Sequence, residues 1–172
     1  EIKSVINDLE KDIVSAYNDI SIIERNYNNY FNAKKLSDWS IKHEGTIKKI
    51  KSIQPEKLEN LFSEYKELKT IIKILENQKD YRKTYNAIFI QNEKEKYQKY
   101  FDNMLDVKLT NEQRECIVKD EDVNYINAGA GTGKTTTILA KIKYLVEKKN
   151  INEDKILLLT YNKPVSEDIN ER

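Results

Sequence analysis

The sequence of 172 residues contains little cysteine, little glycine and no excess of charge of either sign. Its single cysteine, Cys116, excludes a disulfide framework and a cysteine-rich metal site. Because 30 Lys and Arg residues balance 29 Asp and Glu residues, no global basic field indicates a nucleic-acid-binding protein. The longest run of Ile, Leu and Val covers only residues 156–159, which is far too short to cross a bilayer. No membrane association is therefore expected.

The composition is polar for a compact globular protein but not polar enough for a disordered chain. Charged residues make up 34% of the sequence and the AVILMFWYC set makes up 38%. The length suits one domain or two small ones. The chain starts at Glu1 rather than at a methionine and stops at Arg172 within a charged stretch, so it looks like a fragment of a longer parent protein. With one cysteine and no signal-peptide pattern, a cytoplasmic location is expected.

The distribution of glycine divides the chain into two parts. Gly129, Gly131 and Gly133 fall within five residues of one another, whereas Gly45 stands alone. Residues 1–105 contain the only Trp, all four Phe and eight of the eleven Tyr. Because this part lacks the alternation typical of strands, the pattern predicts an α-helical hairpin or bundle, coiled-coil-like, over 1–105.

A seam of apolar residues predicts a long first helix. Its members are separated alternately by four and three residues, and Lys34 ends the pattern. A helix of this extent would be roughly 43 Å long at a rise of about 1.5 Å per residue. The members of the seam are Ile2, Ile6, Leu9, Ile13, Ala16, Ile20, Ile23, Tyr27 and Tyr30.

A second seam predicts a partner helix, and a broken region containing Gly45 and Pro55 lies between the two. Each seam needs an apolar partner, so an antiparallel hairpin in which the seams bury each other is expected. A third, weaker helix is expected over 80–101. The second seam consists of Leu58, Leu61, Tyr65, Leu68, Ile72 and Leu75. The apolar residues of the third helix are Tyr81, Tyr85, Ile88, Tyr97 and Tyr100.

Residues 34–51 are rich in lysine and have two possible interpretations. The segment contains six lysines but only two acidic residues, Asp38 and Glu44, and it also contains Trp39 and His43. Such a run usually forms a solvated helix face. The alternative is contact with nucleic acid or with an acidic partner.

After residue 105 the pattern changes to that of an α/β unit. Thr110 is a candidate N-cap and Gln113 completes a capping box, which predicts a helix to about Lys119. A short buried strand over 123–127 leads into the glycine loop, a helix follows the loop, and 155–161 read as a second strand. Pro164 opens a further helix over 165–172. Strand, loop, helix and strand together predict a βαβ unit with parallel pairing.

The glycine loop has the pattern of a Walker A motif, with alanine in its first position. Gly131 and Gly133 allow backbone N–H groups to point at phosphate oxygens, and the N-terminus of the following helix adds partial positive charge. Lys134 is placed to reach the β- and γ-phosphates of ATP, and the Thr135 hydroxyl to ligate Mg²⁺. The candidate cofactor-binding residues of the loop are Ala128, Gly129, Ala130, Gly131, Thr132, Gly133, Lys134, Thr135 and Thr136.

Three segments in this order, 109–113, 128–135 and 156–161, resemble the start of the first motor domain of UvrD/Rep-like superfamily 1 DNA helicases. The resemblance implies that Gln113 reads the adenine edge and that Lys134 and Thr135 are the catalytic residues of the loop. It also implies that Thr160, Tyr161 and Asn162 form motif Ia and contact single-stranded DNA. Segments 85–90 and 97–102 are similar to the lead-in of DNA helicase IV-type proteins.

The resemblance implies an ATP-dependent DNA helicase or translocase that uses ATP and Mg²⁺ and acts in bacterial DNA repair. A helical region over 1–105 would precede a partial motor domain over 106–172. The acidic Walker B pair, the arginine finger and the second motor domain of the family do not occur after residue 161. The 172 residues alone are therefore expected not to hydrolyse ATP or unwind DNA.

Two other functions stay open at the level of sequence. One is a helicase-like ATPase that remodels a protein complex such as RNA polymerase and uses the N-terminal helices as an arm for a protein partner. The other is a different P-loop ATPase in which the coiled coil serves assembly. DNA-stimulated ATPase activity and the identity of bound partners distinguish these from a DNA helicase.

Overall fold

A computed structural model describes residues 2–24, 27–53 and 66–159. These three ranges are helical and contain no β-strand. None of their helices has both the length and the apolar character needed to cross a membrane. The elements are α1 (Ile2–Glu24), α2 (Ala33–Lys42), α3 (Glu44–Lys51), α4 (Lys66–Glu76), α5 (Gln78–Lys96), α6 (Gln98–Asn103), α7 (Asn111–Val118), α8 (Lys134–Lys149) and a 3-10 turn (Glu153–Lys155).

The chain packs as two compact units. The first contains the described residues up to Gln91 together with residues 120–123, and the second contains residues 92–119 and 124–159. The division falls within α5. The sequence-based division into domains at 105/106 stays a prediction.

The core of the first unit forms around α1, which packs against α2, α3 and α4. Four members of the first seam within α1 are buried, as predicted, and so are Leu68 and Ile72 of the second seam. Helix α1 therefore packs on the described part of the second seam, with α2 and α3 as further partners. The buried residues are Leu9, Ile13, Ala16 and Ile20 of α1 and Leu68, Ile71, Ile72 and Ile74 of α4. Pro55, Leu58, Leu61 and Tyr65 lie outside the described residues.

The first helix is shorter than its seam predicts. It ends at Glu24, and Tyr27 has a left-handed backbone with φ of 62°. Beyond this point the chain is held by Asn86 of α5: its Oδ1 accepts from the Phe31 N–H at 2.8 Å, and its Nδ2 donates to the Phe31 carbonyl at 2.9 Å. Tyr30 is buried in this turn. Tyr27 and Tyr30 continue the heptad spacing of the seam, but they lie beyond the end of the helix. Their spacing reflects the packing of this turn on α5.

The region expected to be broken contains two helices, α2 and α3, with only His43 between them. Asn32 caps α2 by accepting from the Lys35 N–H at 2.9 Å. The predicted third helix is instead interrupted at Tyr97, where φ is −108°. Of the apolar residues predicted for it, Tyr85 is buried but Ile88 is exposed; Phe89 and Ile90, which were not predicted, are buried.

The aromatic residues of the lysine-rich segment pack inward. The Trp39 side chain is buried and its Nε1 donates to the Ala16 carbonyl at 2.8 Å. The buried His43 ring has its Nε2 2.6 Å from Oδ2 of Asp19. Hydrogen bonds from Lys42 and then from His43 lower the pKa of the Asp19 carboxyl. Because neither ring is available to stack on a base, the segment fits a solvated face better than a nucleic-acid contact.

An acidic segment that precedes the glycine loop belongs to the first unit. Glu121 accepts hydrogen bonds from the Tyr30 hydroxyl at 3.1 Å and from the Ala33 N–H at 3.3 Å, and it pairs with Arg82. Asp122 accepts from the Lys34 N–H at 2.9 Å. Both carboxylates therefore lie at the N-terminus of α2, where the helix dipole favours negative charge.

The two predicted strands are not formed in the described residues, which corrects the expected βαβ unit. Val123, Tyr125, Leu157 and Leu159 are more than three-quarters exposed, at 86%, 89%, 81% and 80%. A strand exists only as part of a ladder of hydrogen bonds with a neighbour, and neither described segment has one. Ile156 nevertheless has an extended backbone. The rest of the second strand and the helix predicted over 165–172 lie outside the described residues.

Candidate nucleotide site

The glycine loop has a backbone that only glycine adopts without strain at two positions. Gly131 has φ of +74° and Gly133 has φ of +83°. Gly133 is the N-cap of α8, so Lys134, Thr135 and Thr136 are its first three residues. The N–H groups of such a first turn have no partner within the helix, and they form the positive end of its dipole. The loop and the helix start can therefore present N–H groups to an anion.

Lys134 curls back over the loop. Its ammonium donates to the Ala128 carbonyl at 2.8 Å and to the Gly129 carbonyl at 2.6 Å. The Thr132 hydroxyl donates to the same Gly129 carbonyl at 2.8 Å. These bonds hold the loop curved around the ammonium group. Lys134 is the only charged side chain of the loop. Its ammonium thus lies where phosphate oxygens would bind the N–H groups at the N-terminus of α8.

Gln113 connects helix α7 to the loop. The predicted capping box is present: its Oε1 accepts from the Thr110 N–H at 2.8 Å, and its own N–H donates to the Thr110 hydroxyl at 3.3 Å. In addition, its Nε2 donates to the Thr132 carbonyl at 3.2 Å. The sequence predicts both a capping role and an adenine-reading role for this amide, and one amide group cannot fully serve both. The cap uses its oxygen, while its nitrogen points to the loop.

A cavity of about 220 Å³ lies between α7, the glycine loop and the start of α8. It is smaller than pockets that enclose a whole ligand, which measure about 300–1,000 Å³, so it suits one part of a nucleotide. Glu112 contributes a carboxylate whose pKa is lowered by hydrogen bonds from its own backbone N–H and from the Thr110 hydroxyl. The lining residues are Thr110, Glu112, Gln113, Cys116, Ile126, Asn127, Ala128, Thr132, Lys134 and Thr137.

The oxygen ligands for Mg²⁺ are few in this part of the chain. Thr135 is the second residue of α8 and supplies one hydroxyl. Among the described residues, no group of three or more His, Cys, Asp or Glu side chains is arranged to hold a metal ion. Mg²⁺ commonly keeps water and phosphate oxygens as most of its ligands. The residues present therefore fit an ion that is bound together with a nucleotide, not one that is bound alone.

The structure thus brings together Gln113 and the residues of the glycine loop. Thr160, Tyr161 and Asn162, the predicted contacts to single-stranded DNA, lie outside the described residues. Lys141 was missed by sequence reasoning, although its ammonium reaches the end of α7. Its only signal in the sequence is its position seven residues after Lys134, which places both on one side of α8.

Replacing Gly133 with alanine is expected to weaken the predicted binding of ATP by about five- to thirtyfold, because a left-handed backbone costs other residues about 1–2 kcal/mol. The added Cβ would also lie 2.6 Å from Nε2 of Gln113. Titration of the full-length protein with ATP measures the effect. Gly131→Ala isolates the backbone cost, since no atom lies within 4 Å of its Cβ position, and Gly45→Ala in α3 is the control. Wild-type affinity in Gly133→Ala would contradict this geometry of the loop.

Residues 109–172 match the UvrD/REP helicase N-terminal domain. A probable DNA helicase II homolog of Mycoplasma pneumoniae is 38% identical over 68 residues, which cover 40% of this chain and 10% of that protein. The ATP-dependent DNA helicase UvrD1 of Mycobacterium leprae is 34% identical over 71 residues, covering 41% and 9%. The ATP-dependent DNA helicase PcrA of Staphylococcus aureus is 31% identical over 64 residues, covering 37% and 9%. No solved structure matches the chain.

Residues 109–172 are therefore similar to the N-terminal domain of UvrD-like superfamily 1 DNA helicases. This confirms the resemblance seen in the sequence. The chain spans about a tenth of the length of these relatives. None of the three is named as a DNA helicase IV-type protein, so that finer likeness stays a prediction.

Proposed function

We propose that the full-length protein is an ATP-dependent DNA helicase or translocase and that residues 109–136 form part of its nucleotide site. The observation that carries this proposal is the contact of Gln113 Nε2 with the Thr132 carbonyl, 3.2 Å away. This contact supports the proposal because Gln113 touches the loop that we propose to bind the phosphates, and Gln113 and Lys134 line the same cavity. The names of the relatives, which are DNA helicases, support DNA as the substrate.

Each residue of the proposed site has a separate task. The N–H groups of the loop and of the first turn of α8 hold the phosphates in place. Lys134 exchanges its carbonyl partners for the β- and γ-phosphate oxygens, and Thr135 offers a hydroxyl to Mg²⁺. Bound Mg²⁺ would supply charge neutralisation on the phosphates. We expect the 172 residues alone to bind ATP without turnover, because the Walker B pair of the family does not occur among them.

The DNA contact is proposed for Thr160, Tyr161 and Asn162. An aromatic side chain offers a stacking face to a base, and hydroxyl and amide groups can bind phosphate. A helicase acts where the bacterial chromosome lies, so we propose a cytoplasmic location. The helices of the first unit remain available for a protein partner, and the DNA helicase IV-like lead-in over 85–102 would connect them to the motor.

The adenine role of Gln113 is tested by comparing ATP and GTP affinity in the full-length protein and in Gln113→Ala. An amide donates and accepts together, which matches N7 and N6 of adenine but not the two acceptors of guanine. We expect wild type to favour ATP and the variant to lose about 1–3 kcal/mol of that preference. Thr110→Ala serves as the control, since it removes the hydroxyl of the capping box but leaves the Gln113 amide. An unchanged preference in Gln113→Ala, together with a lower melting temperature, would leave Gln113 as a helix cap only.

A further inference from the structure

We infer that Lys141 is a positioning residue for nucleotide selection: it fixes helix α7 so that the Gln113 amide faces the base. The inference rests on the proposed adenine role of Gln113. Lys141 does not line the cavity beside the loop, so it would act through α7 and not by contact with the nucleotide.

The Lys141 ammonium binds the C-terminal end of α7. It donates to the Cys116 carbonyl at 3.4 Å, to the Ile117 carbonyl at 3.2 Å and to the Lys119 carbonyl just past the helix. The last carbonyls of any helix lack partners within it, and they form its negative end. Helix α7 has no basic residue in its own last turn. The cation that completes this helix end therefore comes from α8.

The opposite end of α7 is also attached to the loop that starts α8. Gln113 lies in the first turn of α7 and donates to the Thr132 carbonyl at 3.2 Å. Helix α7 has only eight residues, so a side-chain contact at each end restrains its direction. On α8, Lys141 lies seven residues after Lys134, which is about 10 Å along the helix axis. One helix thus carries both the phosphate-binding lysine and the lysine that orients the adenine reader.

Apolar packing between α7 and α8 does not replace this contact. Ile117 and Val118 of α7 are buried, as is Ala140 of α8, and they hold the two helices together. Apolar burial is not directional, however, whereas hydrogen bonds from an ammonium group to carbonyls are. Without Lys141 the helices would stay in contact, but small sliding or tilting of α7 would move the Gln113 amide. Selective recognition requires that amide to be held within roughly 0.5 Å.

The test is Lys141→Met in the full-length protein, with affinities measured for ATP, GTP and inorganic tripolyphosphate. Methionine keeps most of the length of the side chain and removes its charge. We expect the preference for ATP over GTP to fall by about tenfold. This is part of the discrimination between bases that a bidentate contact provides. Tripolyphosphate affinity, which reports on the loop alone, is expected to change less than about twofold because α8 still begins at Gly133. Lys141→Arg should restore most of the preference, since a guanidinium also donates to several carbonyls.

Lys143→Met is the matched control. Lys143 belongs to the same helix and donates to the Met104 carbonyl at 3.0 Å, away from α7. The Lys143→Met variant should leave the preference for ATP over GTP unchanged. If Lys141 acts through the Gln113 amide, Lys141→Met should not change the preference for ATP over GTP any further in a Gln113→Ala background.

Two results would overturn the inference. One is an unchanged ATP preference in Lys141→Met. The other is an equal loss of affinity for ATP, GTP and tripolyphosphate, which would show general destabilisation. If wild type shows no preference for ATP, or if Gln113→Ala keeps it, the proposed adenine role fails and the inference fails with it. A clear Gln113 effect without a Lys141 effect overturns the inference alone.

Discussion

ATP turnover by the full-length protein is expected to be lost when Lys134 is replaced with alanine. Lys134 carries the one side-chain charge of the glycine loop, and its ammonium is held at 2.8 and 2.6 Å from the carbonyls of Ala128 and Gly129. Alanine leaves the backbone N–H groups in place but removes the cation that stabilises charge on the transferred phosphate. Losing one such preorganised group costs about 10²–10³-fold in turnover. Steady-state ATP hydrolysis measures the effect.

Lys155→Ala is a suitable control for this experiment. Lys155 is an exposed lysine in the 3-10 turn after α8, so its removal changes the net charge equally without touching the loop. It should leave turnover unchanged. Turnover in Lys134→Ala that stays within a few-fold of wild type would show that Lys134 does not bind the phosphates.

Replacing Ile13 with aspartate is expected to unfold the first helical unit. The Ile13 side chain is 2% exposed on α1, which packs against α2, α3 and α4. A carboxylate at this position is buried without a partner, at a cost of about 3–5 kcal/mol. The apolar burial of the isoleucine is lost as well, at about 1.5–3 kcal/mol, and domains are typically stable by only about 5–15 kcal/mol. Thermal unfolding followed by far-UV circular dichroism measures the loss of helix.

The neighbouring residue provides the control for Ile13→Asp. Val14 is 39% exposed on the same helix, so Val14→Asp introduces the same charge towards solvent. It should lower the melting temperature only slightly. Equal destabilisation by the two substitutions would show that the seam does not face a core.

Local patterns of sequence predicted the parts of the fold that depend on local rules. The spacing of Ile13 and Ala16 indicated which side of α1 is buried, and Thr110 with Gln113 indicated where α7 begins. The same spacing failed at Tyr27, because the backbone there is set by a distant residue, Asn86, which binds Phe31. Heptad spacing cannot distinguish a helix that continues from a turn that packs its aromatic residues in the same direction.

Features that depend on partners could not be predicted from the sequence. The apolar segment 156–159 has the composition of a strand, but a strand requires a neighbour with which to form a ladder. The contacts of Glu121 with the Ala33 N–H and of Lys141 with the Ile117 carbonyl could not be predicted, since every residue possesses such backbone groups. The glycine loop was recognisable because phosphate binding demands both glycines and a lysine at fixed spacing. For the candidate site, the sequence predicted which residues bind the nucleotide, and this stays a prediction; the structure added how α7 is attached to α8.

The most direct test of the central proposal is ATP hydrolysis by the full-length protein with and without single-stranded DNA. A DNA helicase or translocase couples its nucleotide site to DNA, so we predict turnover that rises at least about tenfold when single-stranded DNA is added, which is about 1.4 kcal/mol in the activation free energy. The stimulated activity should disappear in Lys134→Ala and persist in Lys155→Ala. ATP turnover that depends on Lys134 but does not respond to DNA would contradict the proposal and indicate a P-loop ATPase with another task.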